Sequence, residues 1–135
     1  MTKNIQENKL TNVRAFRSAL SHKTAIKKFY YYEPMRQIVS FPTSKSITMH
    51  TAPLDHYRKY MPGAKSDVFI VLDVEGHEAE VLRGAIRTIG KSKSTTLLIE
   101  DSSRPKSHPL MKYLLSHARF QAKLTPQNSF WQLKS

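Results

Sequence analysis

Two carboxylates stand two positions apart in this chain, Asp73 and Glu75, with Gly76, His77 and Glu78 directly after them. The apolar run Val68-Phe69-Ile70-Val71-Leu72 leads into them, and a second run, Thr95-Thr96-Leu97-Leu98-Ile99, ends in Glu100 and Asp101. A carboxylate held at a fixed point can take a proton, orient a hydroxyl or bind a hard cation. Asp73 is the candidate general base or acceptor-orienting group, with Glu75 and His77 as further catalytic candidates. For Glu75 the commoner role is to favour the positive end of a following helix, and for His77 it is an ordinary surface or capping position. Tips of neighbouring parallel strands lie about 5 Å apart, so Asp73, Glu100 and Asp101 form a candidate Mg²⁺ set. Solvated acids, or acids paired with Arg104 and Lys106, are the commoner outcome for such residues. The remaining histidines, His22, His50, His56, His108 and His117, show no metal-ligand spacing.

These groups need elements to position them. Five consecutive apolar residues cannot alternate between water and core, which predicts a parallel strand over 68–74 covered on both faces. Val81, Leu82, Ala85, Ile86 and Ile89 recur at helical spacing and predict one helix over 78–89. Strand, helix, strand with acid at both strand ends puts the acids where open α/β sheets bind their ligands. Upstream, strand character is expected in 13–20, 28–32 and 46–51, with loop over 33–45 and a short helix after Pro53. Downstream, Ser102–Pro109 reads as a loop over a strand end. Leu110, Leu114, Leu115 and Ala118 define a helix face, and 120–124 with 130–133 a closing antiparallel hairpin. Tyr30, Tyr31 and Tyr32 beside Lys27, Lys28 and Arg36 would suit a stacking platform for bases or sugars, though core packing is the commoner use of such a run.

The chain has 135 residues, which suits one domain, and a net charge of +12. That field favours polyanions: nucleic acid, phosphorylated substrates or an anionic membrane surface. Basic residues are spread along the chain, not gathered in one arm. Cysteine is absent, which excludes disulfides and Cys-based zinc sites. No apolar leader is visible at the start and no apolar run is long enough to span a bilayer, so a cytoplasmic protein without a membrane span is expected.

The string Ile70-Val71-Leu72-Asp73-Val74-Glu75-Gly76-His77-Glu78, then Val81-Leu82-Arg83-Gly84-Ala85, then Leu97-Leu98-Ile99-Glu100 resembles the FkbM-type S-adenosylmethionine-dependent methyltransferases. Asn12-Val13, Ser18-Ala19-Leu20-Ser21 and Pro53-Leu54-Asp55 are similar to that family's weaker flanking motifs. The resemblance implies an α/β fold: the carboxyl-terminal part of a Rossmann-like class I methyltransferase domain, closed by a terminal antiparallel hairpin, with residues 1–135 as one truncated domain. It implies methyl transfer to an oxygen of a sugar or another small polar acceptor, with Ser18, Ala19, Asp73 and Val74 against the cofactor. The family's opening strand, Gly-rich turn, helix and second strand have no counterpart here, since the four glycines are Gly63, Gly76, Gly84 and Gly90. A complementing chain or homodimer that supplies those strands, direct pairing of the family's third strand with its fourth, and a decayed remnant are the expected alternatives. The competing function is a non-catalytic basic module for nucleic acid or an acidic protein.

Overall fold

The computed structural model describes residues 2–35, 37–39, 42–61, 63, 65–74, 76–100, 108–125 and 128–133. Glu75, Asp101, Arg36, Arg104 and Lys106, and most of the Ser102–Pro109 loop, lie outside the described residues. The chain forms a mixed α/β structure whose strands fall into two four-stranded sheets.

The carboxyl-terminal sheet is ordered β5-β6-β8-β7, from β5 (Asp67–Leu72), β6 (Ser94–Glu100), β7 (Ala118–Lys123) and β8 (Asn128–Leu133). β5 and β6 are parallel, whereas β8 runs antiparallel to both β6 and β7. β7 and β8 are the expected closing hairpin. Between β5 and β6 the chain forms α2 (Glu78–Arg83) and α3 (Ile86–Lys91), and α4 (Pro109–His117) precedes the hairpin. One cluster holds Leu72, Val81, Leu82, Ala85, Ile89, Leu97, Ile99, Leu110, Leu114, Trp131 and Leu133, all buried. The Trp131 indole donates to Ser129 Oγ at 2.9 Å, so burial leaves its N–H satisfied.

The amino-terminal sheet is ordered β1-β4-β2-β3, from β1 (Ala19–Leu20), β2 (Ala25–Tyr32), β3 (Gln37–Val39) and β4 (Lys45–Ala52). β2 pairs antiparallel with β3 and β4, and β1 lies parallel to β4. The helix α1 (Thr2–Glu7) precedes it, and a 3₁₀ helix, Leu54–Tyr60, follows β4 behind Pro53.

Four expectations are corrected. Only Ala19 and Leu20 of the 13–20 segment join a ladder; Phe16 instead packs on Tyr57 and Tyr60, at 4.5 and 5.2 Å between ring centroids. The 33–45 segment holds β3 as well as loop, because Ile38 and Val39 extend β2's pairing past the turn. The helix over 78–89 is two helices broken at Gly84-Ala85. A side chain at Gly84 would sit 2.1 Å from the Ser21 carbonyl oxygen, so the break is where the amino-terminal sheet's backbone touches the helical layer. Finally, β5 is covered on one face only: Leu72 is buried, while Phe69 and Val71 are 57% and 59% exposed. Its apolar run supplied two apolar faces without supplying a second cover. Among the described residues β1 pairs with β4 and not with β5, which excludes direct re-pairing of those strands here.

The junction between the sheets is polar and specific. Asp55, in the 3₁₀ helix, accepts from the Thr88 amide at 2.7 Å, the Thr88 hydroxyl at 2.8 Å and the Arg87 amide at 3.0 Å. A carboxylate on the first amides of α3 meets unpaired donors and the positive helix end together. Pro53-Leu54-Asp55 thus has a structural purpose: it clamps the α3 start to the end of β4.

Candidate functional site

The strand tips build a cleft. In the β5–β6 register Leu72 faces Ile99, so the next residues, Asp73 and Glu100, stand side by side at the carboxyl ends of two parallel strands. Asn128, opposite Glu100 across the β6–β8 ladder, adds an amide to the rim. A cavity of about 390 Å³ is lined by these three with Val71, Leu72 and Leu98. Both carboxylates are exposed, so each can meet a ligand without first being dehydrated. Two of the three candidate metal ligands therefore come together; Asp101, the third, lies outside the described residues. No group of three or more His, Asp or Glu with metal-holding geometry occurs among the described residues.

The turn after Asp73 sets the next groups. Gly76 has φ +93, a conformation that L side chains rarely adopt, which accounts for glycine at the strand-to-helix turn. Its amide donates to Glu78 Oε1 at 3.2 Å, and Glu78 is buried in the first turn of α2. Val74, the other candidate cofactor contact on this turn, packs against the core cluster. Glu75 lies outside the described residues.

His77 caps no helix with its side chain, although it occupies the N-cap position of α2. Its Nε2 lies 3.1 Å from Ser21 Oγ, and Lys27 Nζ donates to the same oxygen at 3.2 Å. Ser21 is buried, and its amide donates to the Ala52 carbonyl at 3.0 Å. An ammonium group has only donors, so Ser21 Oγ accepts from Lys27 and bridges it to the His77 ring. Burial lowers the His77 pKa below its ordinary value, and the positive charge of Lys27 pushes it the same way. Beside His77, His22 Nδ1 lies 2.5 Å from Glu80 Oε2, and Glu80 also binds Arg83 at 2.5 Å.

The approach of Ser21 and Lys27 to His77, and of His22 to Glu80, was not legible, since those sequence separations carry no local signal, whereas Glu80 and Arg83 pair at ordinary helical spacing. Asp55 had a local signal, in the Pro53-Leu54-Asp55 string. Ser18 and Ala19, the candidate cofactor contacts from the amino-terminal half, sit elsewhere. Ser18 Oγ donates to the His50 carbonyl at 3.2 Å, and the residue lines a separate cavity of about 680 Å³ with Phe16, Tyr57 and Tyr60.

A mixed α/β body, a cleft with acids at parallel strand tips and a glycine turn into a helix define an α/β domain with a strand-end site. Compared with known protein families, residues 6–122 match the methyltransferase FkbM domain. The chain belongs to the FkbM methyltransferase family. No curated protein and no solved structure matches it. No helix among the described residues is long and apolar enough to cross a membrane.

Proposed function

We propose that the chain moves a methyl group from S-adenosylmethionine to a hydroxyl of a sugar or another small polar acceptor, at the β5–β6 strand tips. The observation that carries this reading is the pairing of Asp73 with Glu100 over one cleft, in a member of a methyltransferase family. S-adenosylmethionine, when bound, supplies an electrophilic methyl group. The protein's part is to align the acceptor oxygen and to receive its proton. Asp73 takes that proton and Glu100 and Asn128 hold neighbouring acceptor hydroxyls, with Glu75 and His77 as further acid–base groups in this reading.

The donor set also suits Mg²⁺, which binds through one or two carboxylates together with substrate oxygens. Asp73 and Glu100 would hold it, joined by Asp101, and it would acidify the acceptor hydroxyl. Asp73 and Val74 are the cofactor contacts in this reading, within a Rossmann-like class I arrangement of which residues 1–135 form one domain; Ser18, with its neighbour Ala19, sits at the separate cavity and is not among them. The exposed Phe69 and Val71 and the unpaired side of β5, which has only β6 beside it among the described residues, support the addition of a further strand there. In this reading a complementing chain brings that strand with its Gly-rich turn, whereas a second copy could pair at the same edge but carries no such turn. A cytoplasmic setting, where the cofactor is made, fits this chemistry.

The test is transfer of labelled methyl groups to a panel of sugars, by the chain alone and with an added strand-turn-helix partner. Acceptor-dependent transfer that falls by about 100-fold or more in Asp73→Asn is expected. Transfer indifferent to Asp73→Asn, or none with any partner, would contradict the reading.

A further inference from the structure

The amino-terminal sheet has an open face whose chemistry the methyl-transfer reading leaves unused. Residues 1–60 hold 11 Lys and Arg against 3 Asp and Glu, a net charge of +8, whereas residues 61–135 hold 11 against 7, a net +4. Two thirds of the net charge therefore sits on the half that lacks the large core, because that half has fewer acids.

Strand register shows what that half presents. On β2 the even positions, Ile26, Lys28, Tyr30 and Tyr32, share one face with His50, Thr48 and Ser46 of β4. Ile26 is 66% exposed, and Lys28, Tyr32, Ser46, Thr48 and His50 are exposed as well. Lys28 Nζ lies 5.5 Å from the centre of the Tyr30 ring, which keeps a cation beside an aromatic surface. The β1–β4 register extends the strip, because Ala19 faces Thr51 and so puts Ser18 next to His50.

Both ends of this strip open into cavities. Beyond Ser18 is the 680 Å³ cavity, where Phe16, Tyr57 and Tyr60 cluster and Arg14 lies 5.2 Å over the Tyr60 ring. Lys59 is 5.0 Å from the same ring. At the other end Tyr31 and Tyr32 line a cavity of about 370 Å³ with Thr43 and Ser44. The carboxylate at that end, Glu33, is paired with Lys45. Ile26 to Tyr32 alone spans about 20 Å of strand.

From this arrangement we propose that the open face of β2 and β4, with the aromatic cavity at its β1 end, binds single-stranded nucleic acid. Tyr30 and Tyr32, with the rings of the cavity, offer stacking surfaces to bases, while Lys28 on the strip and Arg14 and Lys59 at the cavity offer phosphate contacts. Such a row recognises an unpaired chain of bases, whose faces are accessible, better than a duplex, whose bases are already stacked. A purely electrostatic surface would need only the lysines.

The test uses fluorescence anisotropy with the whole chain and a labelled oligothymidylate or oligouridylate of about twelve nucleotides. A duplex of equal length, heparin and phosphatidylserine vesicles serve as competitors. Tighter binding of the single strands than of any competitor is expected, weakened about tenfold in Phe16→Ala and in Tyr32→Ala. Lys28→Gln should reduce the log–log salt slope by about 0.7, the value for one lost contact to a single strand, while Lys112→Gln, outside this sheet, leaves binding unchanged. The proposal is overturned if duplex, heparin or vesicles compete equally well and the aromatic variants bind like the parent. It is equally overturned if no single strand binds at low salt. Because Lys28 is exposed, its variant tests the face even where an aromatic substitution perturbs folding.

Discussion

The two sheets have equal strand counts and unequal interiors. The carboxyl-terminal sheet buries Leu97, Ile99, Trp131 and Leu133 under α2, α3 and α4, and every member of the main core cluster lies at or beyond Leu72. Among the residues whose burial is described, the amino-terminal sheet buries Thr51 and Ala52 from its strands and reaches the core through Leu20, which packs against it in part. One half is held by its own apolar packing. The other is held by hydrogen-bonded ladders and by attachment at Ser21, Asp55 and Gly84. A strand of the first kind is placed by its hydrophobic pattern, whereas a sheet of the second kind depends on what it touches.

Substitutions that separate the halves sharpen this contrast. Leu97→Ala, at a fully buried position, is expected to cost about 4 kcal/mol in denaturant unfolding. Ile47→Ala on β4, where the side chain is exposed, should cost less than about 1 kcal/mol. Similar losses at the two sites would abolish the distinction. Gly84→Ala drives a methyl group into the Ser21 backbone and should cost about 3 kcal/mol by overpacking, with the amino-terminal amides losing hydrogen-exchange protection first. Asp55→Ala removes three hydrogen bonds to Arg87 and Thr88 and is expected to cost about 2 kcal/mol, read as a shift in the denaturant midpoint.

The smallest effect is on pH dependence. The native His77 binds a proton less readily than the unfolded chain does, first because it is buried and then because Lys27 is near. Its contribution is therefore fully present above the ordinary histidine value of about 6.5 and is lost as pH falls below it towards the native value. Lys27→Met should raise the His77 pKa in an NMR titration, though only in part, since burial remains. An unchanged His77 titration would remove Lys27 from the group.

The carboxyl-terminal elements were legible because each is built by local pattern. The apolar runs before Asp73 and Glu100, the helical spacing from Val81 and the alternation around Phe130 all match observed elements. The errors fall where contacts distant in sequence, or the lack of them, decide the outcome. Gly84 was visible, yet nothing local said that the Ser21 carbonyl would press against it and break the helix. Val13 to Ser18 has strand-like residues, but among the described residues it has no ladder partner, and Phe16 turned to the tyrosines of the 3₁₀ helix. At the site, adjacency of Asp73 and Glu100 followed from two parallel strands ending in acid. The approach of Ser21 and Lys27 to His77 needed the second sheet to dock, and no spacing encodes that.

Heteronuclear NMR during titration with S-adenosylhomocysteine, the demethylated cofactor, tests the claim that the strand tips are the functional site most directly. Saturable shifts at Asp73, Val74, Gly76 and Glu100, with Asp73→Asn weakening the effect, are expected even at millimolar ligand. Shifts confined to β2 and β3, or no saturable shift at either strand tip, would contradict it.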